Sequence, residues 1–214
     1  MIATEENYQQ KTLCVLLVDH SKATADKIED INHMLRSFYE DILESDSSCP
    51  RVEIALISCE TPTRIIQQPS LVENFTMPNL NAKKESNIID GIKMAIEVVE
   101  GRKQYYREQG IPYKRPWIII ISNGECDAES IKNNLKQLVD FRDKAIYNKH
   151  YFIQSIAIDE NADMNVLDFV ATNKTIFMKD AKFLHFFRWL SRSLAGDFCG
   201  MDSKFTEFSI FDNK

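Results

Sequence analysis

Asp19 and Ser21 stand two residues apart at the end of an apolar run, residues 12–18 (TLCVLLV). A tight loop there can aim a carboxylate and a hydroxyl at one point. Oxygen ligands of that kind suit hard divalent cations such as Mg²⁺. The pair also has a plainer use, as caps whose side-chain oxygens accept from the first N–H groups of the next helix. On this segment alone both uses stay open. Ser86 opens a long helical pattern, and Asn123-Gly124-Glu125 follows the apolar stretch WIIIIS. Asn-Gly is also a common turn pair. His20 lies between Asp19 and Ser21, but three consecutive residues cannot form the relay that nucleophilic hydrolysis requires. The sequence has no GxSxG elbow, and no GxxxxGK[ST] or GxGxxG phosphate loop. His20 and Glu125 are expected to face solvent at the rim, where a partner would touch. His33, His150 and His185 are scattered and read as structural or surface residues.

These groups need a scaffold. Residues 12–18 and 117–122 are short, Ile-, Val- and Leu-rich runs that suit strands buried on both faces. Residues 52–58 (VEIALIS) form a third such run. Residues 64–67, bracketed by Pro62 and Pro69, fit an antiparallel edge strand. Strands are also expected at 151–158 and 175–178. From Thr24 to Leu43 the apolar residues Ile28, Ile31, Met34, Leu35, Phe38 and Ile42 recur at helical spacing. Further helices are expected from Ser86 to near Pro112, and over 127–147, 163–171 and 181–194. On the helix over 127–147 the apolar residues are Ile131, Leu135, Leu138, Val139, Phe141 and Ile146. Residues 73–85 show no periodicity and read as loop. Alternating strands and helices imply one α/β sandwich with a mainly parallel sheet. In such a sheet the loops at the carboxyl ends of the strands are where ligands bind. Asp19, Ser21, Ser86 and Asn123 would all gather at that edge. Asp19 lies beyond the strand proper, so its removal should open no core cavity and should leave the fold intact.

Composition narrows the function classes. A net charge of −6 argues against a general nucleic-acid binder, which carries a basic face. Five cysteines without a CxxC pair argue against a zinc knuckle or a redox motif, and fit reduced thiols. No segment approaches the length of a membrane span and no leader pattern is evident, so a cytoplasmic location is the expectation. Residues 197–214 carry Phe198, Phe205, Phe208 and Phe211, too many aromatics for a free tail. They are expected to dock on the domain or on a second copy.

The order of these parts resembles the von Willebrand factor A (VWA) domain. That family's metal-ion-dependent adhesion site takes Asp-x-Ser-x-Ser from the first loop. A Thr comes from the start of the second long helix, and an Asp from the loop after the fourth strand. The stretch from Pro116-Trp117 to Ser122-Asn123-Gly124-Glu125 resembles the PW-hydrophobic-TDGE segment of the tellurium-resistance VWA proteins of the TerY type. The run from Phe186 to Leu194 (FFRWLSRSL) resembles their closing helix. Residues 52–58 and 86–92 match the corresponding strand and helix start. The similarity covers about residues 11–195, leaving 196–214 as a separate aromatic tail.

The resemblance implies a VWA three-layer α/β/α sandwich, Rossmann-like, with one antiparallel edge strand. It implies metal ligands at Asp19, Ser21, Ser86 and Asn123. The family's second Ser is Ala23 here, its Thr is Ser86, and its Asp is Asn123. One inherited carboxylate is left, so Mg²⁺ or Mn²⁺ is expected to bind weakly or not at all, unless Glu85 or Glu125 compensates. The implied function is non-catalytic protein binding in a cytoplasmic stress-response system. In family members with an intact site, an acidic partner residue completes the metal's coordination. Kinase or phosphatase partners are implied by the TerY type. The alternative is a metal-dependent hydrolase or phosphotransferase using Asp19, which would need a second carboxylate or a base beside it.

Overall fold

The computed structural model describes residues 9–44, 51–82, 84–126, 128–179 and 181–195. The aromatic tail and the expected loop at 45–50 lie outside the described residues. In chain order the elements are β1 (Lys11–Val18), α1 (Ile28–Leu43), β2 (Arg51–Ser58), β3 (Arg64–Leu71), α2 (Ile88–Glu108), β4 (Trp117–Ser122), α3 (Ala128–Ile146), β5 (Phe152–Ala157), α4 (Met164–Val170), β6 (Ile176–Phe177) and α5 (Ala181–Ala195). The sheet order is β3-β2-β1-β4-β5-β6. All neighbours pair parallel except β2 and β3.

β1 shows why the chain folds into three layers. Successive side chains on a strand point to opposite faces. Cys14, Leu16 and Val18 enter the core shared with α1 and α5. Leu13, Val15 and Leu17 enter the core shared with α2, α3 and α4. β4 divides in the same way, with Trp117, Ile119 and Ile121 on the first side and Ile118 and Ile120 on the second. Both strands are central and have no polar face to offer water. α2 approaches β1 closely at Gly91, where a Cβ would come within 2.9 Å of Leu17 Cδ1 and 3.1 Å of Cys59 Sγ. Two of the segments that carry the sequence resemblance meet in the core. Trp117 stacks on Phe152 at 4.4 Å and meets Trp189 of α5 edge-on at 5.7 Å.

Four details depart from the sequence reading. The helix expected from Thr24 begins as a 3₁₀ turn, Lys22–Lys27. The Thr24 hydroxyl bonds back to the carbonyls of Asp19 and Ser21, at 3.3 and 3.1 Å, and tightens that turn. β3 runs on through Pro69 to Leu71 instead of stopping at Gln67. An edge strand tolerates the missing N–H, and the register shifts against β2 between Ile54 and Ile57. α3 turns inward a narrower stripe than its apolar residues span. Leu138, Phe141 and Ala145 are buried, while Leu135 and Ile146 are exposed.

The aperiodic segment after β3 is the fourth departure, because it is a packed strap. Phe75 and Leu80 are buried in the first core. The amide of Asn32 on α1 clamps Leu80 on both sides, donating to its carbonyl at 2.9 Å and accepting from its N–H at 2.8 Å. Tyr39 donates to the Phe75 carbonyl at 2.6 Å, and Arg36 donates to Asn79 at 3.0 Å. A buried side-chain amide thus does for the strap what a neighbouring strand would do.

Candidate site at the carboxyl edge of the sheet

Asp19 follows β1 immediately, and its N–H still pairs with the Ile121 carbonyl of β4 at 2.8 Å. That bond holds the carboxylate between the two central strands, where it is 1% exposed. The segment 84–86 is brought alongside by backbone bonds, Lys22 N–H to the Lys84 carbonyl at 2.8 Å and Thr61 N–H to the Glu85 carbonyl at 2.9 Å. This places Ser86 over Asp19. It is Asn87, not Ser86, that caps α2, its side chain accepting from the Asp90 N–H at 3.1 Å. Ser86 is therefore left for the site.

Three donors converge on the Asp19 carboxylate. The Ser21 N–H donates to Oδ1 at 3.0 Å. The hydroxyls of Ser86 and Ser122 both donate to Oδ2, at 2.9 and 3.0 Å. A buried carboxylate must be paired or fully hydrogen-bonded to be tolerated, and these three bonds do that. Ser122 also accepts from the Gly124 N–H at 2.9 Å. Gly124 has φ +70°, and a Cβ there would meet the Asp163 carbonyl at 2.4 Å. The third loop is thus shaped by a glycine and hung from Ser122.

The structure brings Asp19, Ser21 and Ser86 together, and it does not add Asn123. The Asn123 amide is turned onto the loop after β5. It donates to Asp159 Oδ2 at 3.0 Å and accepts from the Asp159 N–H at 3.3 Å. The hydroxyl that this loop sends to Asp19 is that of Ser122, which sequence reading counts as the last strand residue. A small polar residue ending an apolar strand is the only signal that could have singled it out. His20 also departs from expectation. Its side chain is not at the solvent-facing rim but buried, 3% exposed, with Nδ1 at 2.9 Å from the Asn81 carbonyl of the strap. The strap covers it, and nothing in the local sequence announces that cover. Glu125 is exposed.

The side-chain caps expected of Asp19 and Ser21 are not formed. Ser21 precedes the 3₁₀ turn without a side-chain cap bond, and its Oγ is buried with no hydrogen-bond partner among the described residues. Glu60, at the end of β2, is also buried. Burial pushes its carboxyl up, but the hydrogen bond from Arg64 at 2.7 Å and the charges of His20, Arg64 and Lys84 bring it below its usual value.

The donor set suits a hard cation only poorly. The unpartnered Ser21 hydroxyl and the Ser86 hydroxyl beside one carboxylate are oxygen ligands of the right type. Asn123 is engaged elsewhere and Ala23 has no oxygen to offer. Glu85 is exposed and pairs with Lys22 at 3.5 Å. Among the described residues no group of three or more His, Cys, Asp or Glu side chains could hold a metal. Asp19, Ser21 and Ser86 would hold a divalent ion only with water supplying most of its shell.

No family model matches this sequence, and no curated protein matches it. Solved structures do. A von Willebrand factor type A protein from Catenulispora acidiphila aligns over 87% of this chain and 43% of its own, with a TM-score of 0.60 and 12% identity. The fold is that of a VWA domain. The pilus adhesin SpaC from Lactobacillus rhamnosus GG, in an open conformation, aligns over 90% of this chain and 31% of its own, with a TM-score of 0.62 and 10% identity. The ArnB paralog VWA2 from Sulfolobus acidocaldarius aligns over 82% and 43%, with a TM-score of 0.52 and 14% identity. This chain therefore spans less than half the length of each of these three. The VWA fold places the three loops described above at one edge, and no helix among the described residues is long and apolar enough to cross a membrane.

Proposed function

We propose that this VWA-type domain is a non-catalytic protein-interaction module that binds its partner through the loops at the carboxyl edge of the sheet. The observation that carries the reading is the Asp19 hub. Hydroxyls from two distant segments, Ser86 and Ser122, are gathered on one buried carboxylate. That arrangement rigidly fixes three surface loops relative to one another, which is what a recognition surface needs. An adhesin is among the similar structures. Metal dependence is weak or absent, because one carboxylate and two serine hydroxyls are a thin ligand set for Mg²⁺ or Mn²⁺.

The hydrolase or phosphotransferase alternative draws less support. All the side chains bonded to Asp19 are hydroxyls, and a carboxylate already accepting three hydrogen bonds is a poor nucleophile or base. The resemblance of residues 116–125 and 186–194 to TerY-type proteins supports a cytoplasmic stress-response setting, tellurium resistance included, with a kinase or phosphatase as partner.

The test places a photo-cross-linking amino acid at Glu125 in one variant and at Tyr147, beyond the far end of α3, in another. Both are expressed in the native cell. The proposal expects one discrete adduct from position 125 and none from 147. Adducts from 147 alone would refute it.

A further inference from the structure

Beside the Asp19 hub lies an open cleft of about 500 Å³. Ser86 is shared between the two, its hydroxyl pointing one bond into the hub and its residue forming part of the cleft wall. Asn87, Glu125, Ser130 and Asp163 complete the polar lining among the described residues. Among the described residues its wall has two carboxylates and no basic side chain. Glu125 is exposed and makes no hydrogen bond or ion pair with the described residues. Asp163 caps α4 with one oxygen only, Oδ1 accepting from the Asn165 N–H at 2.9 Å and from its Nδ2 at 2.7 Å. Its Oδ2 has no partner among the described residues.

Three described lysines near this edge have carboxylate partners outside the cleft. Lys22 pairs with Glu85 at 3.5 Å, Lys84 lies 3.9 Å from Glu60, and Lys179 pairs with Glu160 at 3.6 Å. Among the described residues no basic side chain pairs with Glu125 or Asp163. An acidic partner residue would enter a negative field, whereas a cation would be drawn in.

We propose that this cleft receives a basic side chain, arginine before lysine, from the protein partner. The inference rests on the carboxyl edge being the interaction face, and it reverses the charge expected of the partner. A guanidinium can fork to a carboxylate and gives up water more readily than an ammonium. The partner's own cation would then stand in for the metal charge that this site holds poorly.

The experiment titrates the full ¹⁵N-labelled chain with acetyl-Gly-Arg-Gly-amide, and with the Lys and Glu analogues, with and without Mg²⁺. The proposal expects saturable shifts from the Arg peptide at the amides of Glu125, Cys126, Ser130 and Asp163, smaller ones from the Lys peptide, and none from the Glu peptide. Glu125→Gln and Asp163→Asn should each weaken Arg-peptide binding about threefold, the size of a part-exposed ion pair. Asp163→Asn keeps the helix cap, so the fold is not at risk. Two outcomes overturn the proposal. One is the absence of saturable shifts at those amides with the Arg peptide, or shifts spread evenly over surface carboxylates. The other is a Glu peptide that binds at the Asp19 loop only with Mg²⁺, which would leave the interaction-face reading standing and refute the basic partner residue alone.

Discussion

Asp19→Ala tests the hub directly. From sequence, Asp19 is a loop residue beyond a buried strand, and its loss should leave the fold intact. The structure changes that expectation. Removing the carboxylate leaves three donors without an acceptor: the Ser21 N–H and the Ser86 and Ser122 hydroxyls. Ser86 is half-buried and can turn to water. The Ser21 backbone and the Ser122 hydroxyl are buried, and each buried donor left unmade costs about 1–3 kcal/mol. The variant recovers part of this by no longer burying a charge. The net loss is about 2–4 kcal/mol, which for a domain of this size lowers Tm by roughly 4–16 °C. Asp19→Asn keeps the shape and one acceptor oxygen, so it should lose about half as much. Urea denaturation followed by circular dichroism, with the slope held equal to wild type, reads the difference. An Asp19→Ala protein that melts within about 1 °C of wild type would show that the three bonds carry no stability. The rigid-loop argument would then fall.

Three other outcomes are expected. Gly124→Ala forces a left-handed φ on an L residue and drives its Cβ to 2.4 Å from the Asp163 carbonyl and 2.9 Å from Leu167. It should destabilise by about 3 kcal/mol or more by chemical denaturation, and an unchanged midpoint would mean that the third loop relaxes freely. Asn32→Ala orphans the N–H and carbonyl of Leu80, so amides of residues 75–82 should exchange hydrogen much faster while the sheet amides stay protected. Glu60 has a lowered folded-state pKa, so its contribution is present above the ordinary glutamate range and is lost as pH falls through the folded value. Glu60→Gln should therefore flatten the acid side of the stability-versus-pH curve, and an identical curve would refute the pairing with Arg64.

The architecture is legible in the chain because its central strands carry uniform apolar runs. WIIIIS and TLCVLLV have no polar face, so each must be covered on both sides, and only a layered sheet does that. The hub is half legible. Asp19, Ser21 and Ser86 sit where a strand ends or a helix is about to begin, and a parallel sheet collects those places at one edge. Ser122 is hidden inside the pattern that identifies its strand. The turn of Asn123 toward Asp159 depends on a residue 36 positions away, which no local spacing reports. His20 is buried by a strap whose own anchoring depends on one amide, Asn32, that reads in sequence as an ordinary helix residue. Leu135 and Ile146 show the opposite limit, since helical periodicity overstates the width of the buried face.

The metal question bears most directly on the account, because a tight divalent site would return this edge to recognising an acidic partner. Calorimetric titration of the full chain with Mg²⁺ and with Mn²⁺ answers it. Asp19, Ser21 and Ser86 alone predict a dissociation constant of about millimolar or weaker, no more than roughly 4 kcal/mol of binding. Saturation at micromolar metal, lost in Asp19→Ala, would contradict the account.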